Sequence, residues 1–220
     1  MKKTTFACFV IFSFLFGAAC LANATLTTFN DRSAFELQGV IAENYGFEDL
    51  SNGYKPGEPW TSHGVTYTNW MNVIWAPTDA FHPVSTIIMN NGWTPFTGTI
   101  DNSQTMFGFD LGIVVPSYGT PGKVNLSITT NLATYAFNGL VVPNTNMSMD
   151  FYGFVAGTDE FFNNFQIAIV PYTGSFPYYG PAIDNVTLGT AGAVPLPPTV
   201  LLLGSGLLGL VGLRWRRKSG

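Results

Sequence analysis

Apolar and polar residues alternate with a period of two through much of the chain between residues 25 and 190, and this alternation predicts β-strands. The most regular examples are KVNLSITTN with Val124, Leu126 and Ile128, SMDFYGFVAG with Met149, Phe151 and Val155, and NNFQIAIVPY with Phe165, Ile167 and Ile169. Because successive side chains of a strand point to opposite faces, each stretch should turn an apolar face toward a core.

Further candidate strands bring the number to about ten, and glycine, proline and asparagine separate them. These candidates are GVTYTNW, MNVIW, STIIMN, GTID, TMFGFDLG, TYAFNGL and AIDNVTL. Many short strands of even spacing predict an all-β fold, a jelly-roll-like antiparallel β-sandwich that occupies residues 25–190.

Two short segments interrupt or end this pattern. Asn30 or Asp31 is suited to cap a helix over residues 32–38, and Gly39 is suited to close it. The sequence TAGA at residues 190–193 predicts a flexible linker after the last strand.

The N-terminus has the layout of a secretory signal peptide over residues 1–24. Two lysines precede an apolar stretch at residues 6–17, and the small-residue motif Ala-Asn-Ala follows at residues 22–24. Cleavage after this motif would make Thr25 the first residue of the mature protein, so we expect export.

The C-terminus, residues 191–220, carries a proline motif, an apolar run and a basic end. The motif consists of Val194, Pro195, Leu196, Pro197 and Pro198, and the basic residues are Arg214, Arg216, Arg217 and Lys218. Fifteen uncharged residues, Thr199–Leu213, lie between them. As a helix they would cover roughly 22 Å, enough for a short membrane anchor in a locally thinned bilayer. The basic cluster predicts a cytoplasmic C-terminus and an exported main domain.

This three-part tail resembles the PEP-CTERM sorting signal of Gram-negative bacteria, in a variant that reads VPLP, with Leu196 in the place of the glutamate. The resemblance implies a transient inner-membrane anchor and cleavage near the prolines by an exosortase-type membrane protease. It also implies delivery to the cell surface or extracellular matrix. The stretches FNDRSAF, GVTYT and AIDNVTLG are similar to those of β-rich ectodomains that often precede such tails, most of which have no assigned biochemical role.

The net charge is much more negative when the two end segments are left out. Of nine basic residues, only Arg32, Lys55 and Lys123 lie outside the end segments, against thirteen acidic residues, so the ectodomain carries a net charge of about −10. Such a surface argues against binding of nucleic acid. The two cysteines, Cys8 and Cys20, both lie in the signal peptide, and a domain of this size can form a core without disulfides.

Motifs for catalysis are absent from the sequence. The two histidines, His63 and His82, lack the spacing of a zinc site, and the one Gly-Ser-Gly element lies within the apolar run of the tail. We therefore expect no enzyme activity and a binding or structural role in an exopolysaccharide or biofilm matrix. The alternative is a carbohydrate-active hydrolase on a β-sandwich scaffold, for which clustered exposed acids would be the sign.

Two features are candidates for binding. Trp60 and Trp93 flank turn residues and could stack on the sugar rings of an extracellular polysaccharide, or they could be ordinary core aromatics. Glu48, Asp49 and Asp184 could together bind a structural Ca²⁺ that ties the first strands to the last, or they could be solvated turn carboxylates.

Overall fold

The computed structural model describes residues 25–51, 57, 59–68, 74–75, 83–89, 94–101, 103–114, 120–170 and 180–192. These residues contain one helix, α1 (Arg32–Glu36), and thirteen strands. The strands are β1 (Leu26–Phe29), β2 (Gly39–Tyr45), β3 (Trp60–Ser62), β4 (Val65–Thr68), β5 (Ile74–Trp75), β6 (Ile87–Met89), β7 (Phe96–Ile100), β8 (Met106–Val114), β9 (Gly122–Thr130), β10 (Thr134–Val142), β11 (Asp150–Ala156), β12 (Phe162–Ile169) and β13 (Gly180–Ala191).

The strands form two antiparallel sheets, which confirms the prediction of an all-β sandwich. The first sheet has the order β1-β11-β8-β13-β6-β5, and β2 pairs with β13 as well. The second sheet has the order β10-β9-β12-β7-β4-β3. Thus the first and last strands of the domain both belong to the first sheet.

The core lies between the sheets and is rich in phenylalanine. Phe107 on β8 is its centre, with ring centroids 5.1 Å from those of Phe109 and Phe165 and 5.9 Å from that of Phe162. All four side chains are fully buried. Aromatic residues supply a large buried area with few rotatable bonds, so they hold the two sheets in one arrangement without a disulfide.

The alternation seen in the sequence predicts the buried side of the second sheet well. The apolar set of KVNLSITTN on β9 is buried, as are Phe165 and Ile167 on β12. Phe165 is paired in register with Gly98 on β7, and a Cβ at Gly98 would lie only 2.2 Å from the Phe165 ring. The glycine therefore makes room for the ring inside the sandwich.

The apolar residues of β11 divide between two faces. Phe154 and Ala156 face the core between the sheets, whereas Phe151, from the predicted apolar set, packs on the opposite face against Phe35 of α1, at a centroid distance of 5.4 Å. The guanidinium of Arg32 lies 4.4 Å from the centroid of the Phe151 ring. Because α1 covers this face, the strand has apolar residues on both sides, and simple alternation does not assign them.

Capping and turn chemistry explain several boundaries. Asp31 is the N-cap of α1, and its Oδ1 accepts a hydrogen bond from the Ala34 N–H at 2.7 Å. The helix ends at Glu36, shorter than predicted, and Gly39 begins β2 instead of closing the helix. His63 and Gly64 have φ of 45° and 79° and join β3 to β4, as a two-residue hairpin turn with the right-handed strand twist requires.

The end of the domain also differs from the prediction. Thr190 and Ala191 are part of β13, where they pair with Val40 and Gly39 of β2. The predicted linker at residues 190–193 therefore begins as a hydrogen-bonded strand. In the part of the chain that the structure describes, no helix has the length and apolar character needed to cross a membrane.

Candidate functional site

Trp60 lies in β3 with one side toward the core. Its ring centroid is 5.5 Å from that of Tyr67 and 6.1 Å from that of Phe47, and both of these partners are fully buried. Trp60 is half-buried, which is the position of a core aromatic at the margin of the sandwich. Trp93, its predicted partner in a sugar-binding platform, lies outside the described residues.

A polar cluster lies where α1 crosses the first sheet. Arg32 donates to Asp110 Oδ1 at 2.9 Å, to the Asn185 carbonyl at 3.1 Å and to Thr187 Oγ1 at 2.7 Å. The side-chain amide of Asn185 donates to Asp110 Oδ2 at 2.8 Å and to Asp184 Oδ2 at 3.1 Å. We call these five residues, Arg32, Asp110, Asp184, Asn185 and Thr187, the Asp184 cluster.

An irregularity in β13 creates this arrangement. The register with β8 shifts between Asp184 and Thr187, and Asn185 has a φ of 47°. Asparagine tolerates the left-handed region better than most residues, and the shift turns its side chain toward both aspartates. The fragment AIDNVTLG was recognisable as a strand in the sequence, but the pairing with Asp110, far away in the chain, was not.

Asp184 has an unusual electrostatic setting. Its side chain is fully buried, and burial is the main cause that raises its pKa from 3.8 to about 6. The carboxylates of Glu48 and Asp110 act in the same direction, while hydrogen bonds from Ser85 and from the Asn185 N–H oppose them. The group therefore holds its proton to a higher pH than an ordinary aspartate does.

The predicted calcium ligands are only partly brought together. Glu48 lies beside the Asp184 cluster, since a Cβ at Gly46 would be 2.1 Å from Glu48 Oε2 and 3.2 Å from Asn185 Oδ1. Asp49 instead accepts a hydrogen bond from the Tyr45 hydroxyl at 2.9 Å. Among the described residues, no three or more His, Cys, Asp and Glu side chains form a group that could hold a metal ion. This geometry does not supply Asp49 as a third ligand, and binding of Ca²⁺ stays a prediction.

Tyr45 takes part in a second polar group at the hairpin turn. The ring of His63 stacks on it at a centroid distance of 3.9 Å, and His63 Nδ1 lies 3.1 Å from Glu43 Oε2. Burial, followed by the hydrogen bond to Asp49, raises the pKa of Tyr45 to about 12. The phenol therefore stays protonated and acts as a hydrogen-bond donor at physiological pH.

The outer side of the second sheet carries a pattern that the sequence analysis missed. One row of directly paired residues crosses all six strands, and a second row runs parallel to it. The first row is Thr61, Thr66, Thr99, Asn164, Thr129 and Thr134; the second is Thr68, Thr97, Gln166, Ser127 and Ala136. We call these two rows the threonine face. The sequence does show threonines two residues apart in GVTYTNW and FTGTI, which places them on one face of a strand. Their alignment into rows across the sheet depends on the order of the strands.

Hydroxyl groups on this face are held in place by their neighbours. Thr61 and Thr66 share a hydrogen bond of 2.8 Å, and Thr129 and Thr134 share one of 3.0 Å. An open groove of about 310 Å³ lies at one end, lined by Thr61, Gly64, Thr66, Thr99, Ile100 and Asp101. Adjacent strands are about 4.8 Å apart, so a row across six of them extends about 24 Å.

The threonine face is also almost free of charge. Among the outward residues of these described strands, Lys123 at the start of β9 is the charged one, although residues 25–193 as a whole carry about ten net negative charges. Hydroxyl and amide groups both donate and accept hydrogen bonds. The face can therefore pair with a ligand that is itself rich in hydroxyl groups.

The proline motif and the basic cluster of the tail lie outside the described residues, as do residues 1–24. Comparisons with protein-family models, with curated proteins and with solved structures found no match to this chain.

Proposed function

We propose that the chain is an exported protein of the cell surface or extracellular matrix, with a jelly-roll-like ectodomain that binds neutral polysaccharide. Residues 1–24 act as its signal peptide, and the tail from residue 191 anchors it transiently by a single membrane helix. An exosortase-type membrane protease then releases it near the prolines. The two ends support export and sorting, and the threonine face supports the binding role.

The proposal that the ligand is a neutral polysaccharide is based on the threonine face. This face presents ten hydroxyl and amide side chains in two rows on a broad surface, and that surface has almost no charge of its own. An anionic polymer would be repelled by the negative ectodomain, whereas a neutral polymer would not. Binding through neutral hydrogen bonds should depend little on salt, unlike binding through charges.

A pair of substitutions on the exported protein tests the binding role. Thr66→Glu with Thr99→Glu places two charges at directly paired positions of the first row, beside the open groove. We expect at least a tenfold loss of affinity for exopolysaccharide from the producing cells, measured by co-sedimentation. Thr28→Glu, at an exposed position on β1 of the other sheet, is the matched control and should bind normally.

The composition of the polymer gives a second comparison. Reduction of its carboxyl groups to alcohols should leave binding unchanged or strengthen it, and salt between about 0.05 and 0.5 M should have little effect. Equal binding by the double variant and the control would contradict the threonine face as the binding surface. Loss of binding after carboxyl reduction would contradict the preference for neutral polymers.

The processing steps have a separate test. Mass spectrometry of the protein from the outer surface should find Thr25 at the N-terminus and no peptide from the basic cluster at residues 214–218. Intact tail peptides in the released protein would contradict the sorting proposal, whatever the result for the polysaccharide.

A further inference from the structure

Glu160 is a buried carboxylate in the turn between β11 and β12, and only 1% of it is exposed. Its Oε1 accepts hydrogen bonds from Thr130 Oγ1 at 2.5 Å and from the Tyr135 hydroxyl at 2.8 Å. Its Oε2 accepts from the backbone N–H groups of Gly157 and Thr25, both at 3.2 Å. The carboxylate thus has four neutral donors.

A positive partner for Glu160 is missing from the described residues. The ion pairs within 4.0 Å in that part of the chain are Arg32 with Asp110 and His63 with Glu43. A buried carboxylate without a cation is costly even when it is hydrogen-bonded, because neutral donors replace only part of its hydration. Glu160 is therefore placed where a positive charge would stabilise it.

One of its four donors changes its chemistry when the signal peptide is removed. Hydrolysis breaks the amide bond between Ala24 and Thr25, and water supplies a hydroxyl to the Ala24 carbonyl carbon and a hydrogen to the Thr25 nitrogen. The new α-amino group takes one more proton from solvent, because it is largely protonated at neutral pH. The atom that was a neutral amide donor in the uncleaved chain becomes an ammonium with three donors.

We propose that removal of residues 1–24 creates an ion pair between the α-ammonium of Thr25 and the buried carboxylate of Glu160, so that processing itself completes the folded domain. The inference rests on the proposed export and on cleavage directly before Thr25. It makes the first residue of the mature protein a fixed part of the structure, and it makes the position of cleavage important for stability.

The position of Thr25 is set by more than this one hydrogen bond. Leu26 begins β1 and pairs with Ala156 at the end of β11, which brings Thr25 next to the turn that holds Glu160. A Cβ at Gly157 would lie 2.6 Å from Thr25 Oγ1 and 3.2 Å from Glu160 Oε2. Strand pairing and this close packing therefore hold the nitrogen near the carboxylate before and after cleavage.

The test shifts the N-terminus by one residue in the exported protein. A serine inserted between Ala24 and Thr25 lets cleavage occur after Ala24 but leaves a neutral amide at Thr25, and N-terminal sequencing verifies the product. We expect the insertion to lower the melting temperature by about 3 to 8 °C. In a Glu160→Gln background the same insertion should have an effect of less than about 1 °C, because the charge it would pair with is gone.

A chemical measurement covers the case in which Glu160→Gln does not fold. The unaltered exported protein is treated with an amine-acylating reagent at neutral pH, folded and in urea, and the rates are read by mass spectrometry. The Thr25 amine should react at least about tenfold more slowly in the folded protein, because its protonated form is stabilised there. Lys123, exposed on β9, is the internal control and should change little.

The possible results separate the two proposals. An equal effect of the insertion in both backgrounds, or equal reactivity of the Thr25 amine in folded and unfolded protein, would overturn the ion pair and leave export intact. An N-terminus other than Thr25 would overturn the ion pair through its premise and would also contradict the predicted cleavage site.

Discussion

Replacement of Asp184 by asparagine should make the stability of the protein, relative to the wild type, rise as pH rises from 4 to 7. Burial raises the pKa of Asp184 from 3.8 to about 6. Between these two pH values the folded state therefore holds a proton that the unfolded state has released. A group of this kind stabilises the fold below about pH 4, and the contribution is lost as pH rises through about 6. The asparagine side chain cannot titrate, so the variant avoids that pH-dependent loss. It also loses one of the two hydrogen bonds that Asp184 accepts from Asn185, but this cost does not depend on pH.

The magnitude follows from the size of the pKa change. A rise from 3.8 to about 6 corresponds to about 3 kcal/mol in the free energy of unfolding. For a domain of this size, that equals a difference in melting temperature of roughly 6 to 12 °C. The melting temperature of the variant, relative to that of the wild type, should therefore rise between pH 4 and 7. Above pH 7 the difference between the two melting temperatures should stay constant.

Thermal melts of wild type and Asp184→Asn from pH 4 to 8, with a chelator present, measure this difference. Asp101→Asn, the same substitution at an exposed position, is the matched control. Glu48→Gln should move the midpoint of the effect to lower pH, because the charge of Glu48 contributes to the raised pKa of Asp184. A difference that does not change with pH, or that falls as pH rises, would refute the reasoning.

Addition of Ca²⁺ to the same series tests the calcium prediction. An ion bound by Asp184 and Glu48 would hold both carboxylates ionised, so the pH-dependent gain of Asp184→Asn over the wild type would disappear and the variant would be the less stable protein at pH 7. An unchanged pH profile in millimolar Ca²⁺ would count against a metal at this position.

Two further predictions concern packing. Gly98→Ala should lower the free energy of unfolding, measured by denaturant titration, by about 3 kcal/mol or more, because the added Cβ meets the Phe165 ring. The control is Gly57→Ala, which has no described atom within 4 Å of the new Cβ. It should change the free energy of unfolding by less than about 0.5 kcal/mol. Trp60→Ala should cost about 2 kcal/mol, less than the loss of a fully buried tryptophan, because the ring packs on Tyr67 but is only half-buried. A variant of unchanged stability that had lost polysaccharide binding would favour the platform hypothesis instead.

The sequence predicts those strands whose side chains alternate cleanly between core and solvent. β9 and β12 are of this kind, because each has one face on the core and one face outward. β2 is mostly exposed or half-buried and carries no strong pattern, so the sequence does not predict it. β11 has apolar residues on both faces because α1 covers its outer side, and only the tertiary structure assigns Phe151 to that side.

The candidate sites are also hard to predict from the sequence, because they join residues that are far apart in the chain. The sequence points to Asp184 as a candidate, but the other members of its cluster, Arg32 and Asp110, come from other elements of the fold. The shift in β13 that joins them has no local signature. The threonine face depends on strand order in the same way. The sequence gives no reason to choose Glu160 among the thirteen acidic residues, because a buried carboxylate and an exposed one look alike in a sequence.

The proposed anchor and the fold together give a mechanical role to β13. This strand ends at Ala191, directly before the tail, and it pairs with β8 on one side and with β2 and β6 on the other. Under the proposed anchoring, a pull directed along β13 would load many backbone hydrogen bonds at once, instead of opening them one at a time. If the tail anchors the protein as proposed, a central strand at the attachment point would therefore resist unfolding better than an edge strand, which fewer neighbours hold.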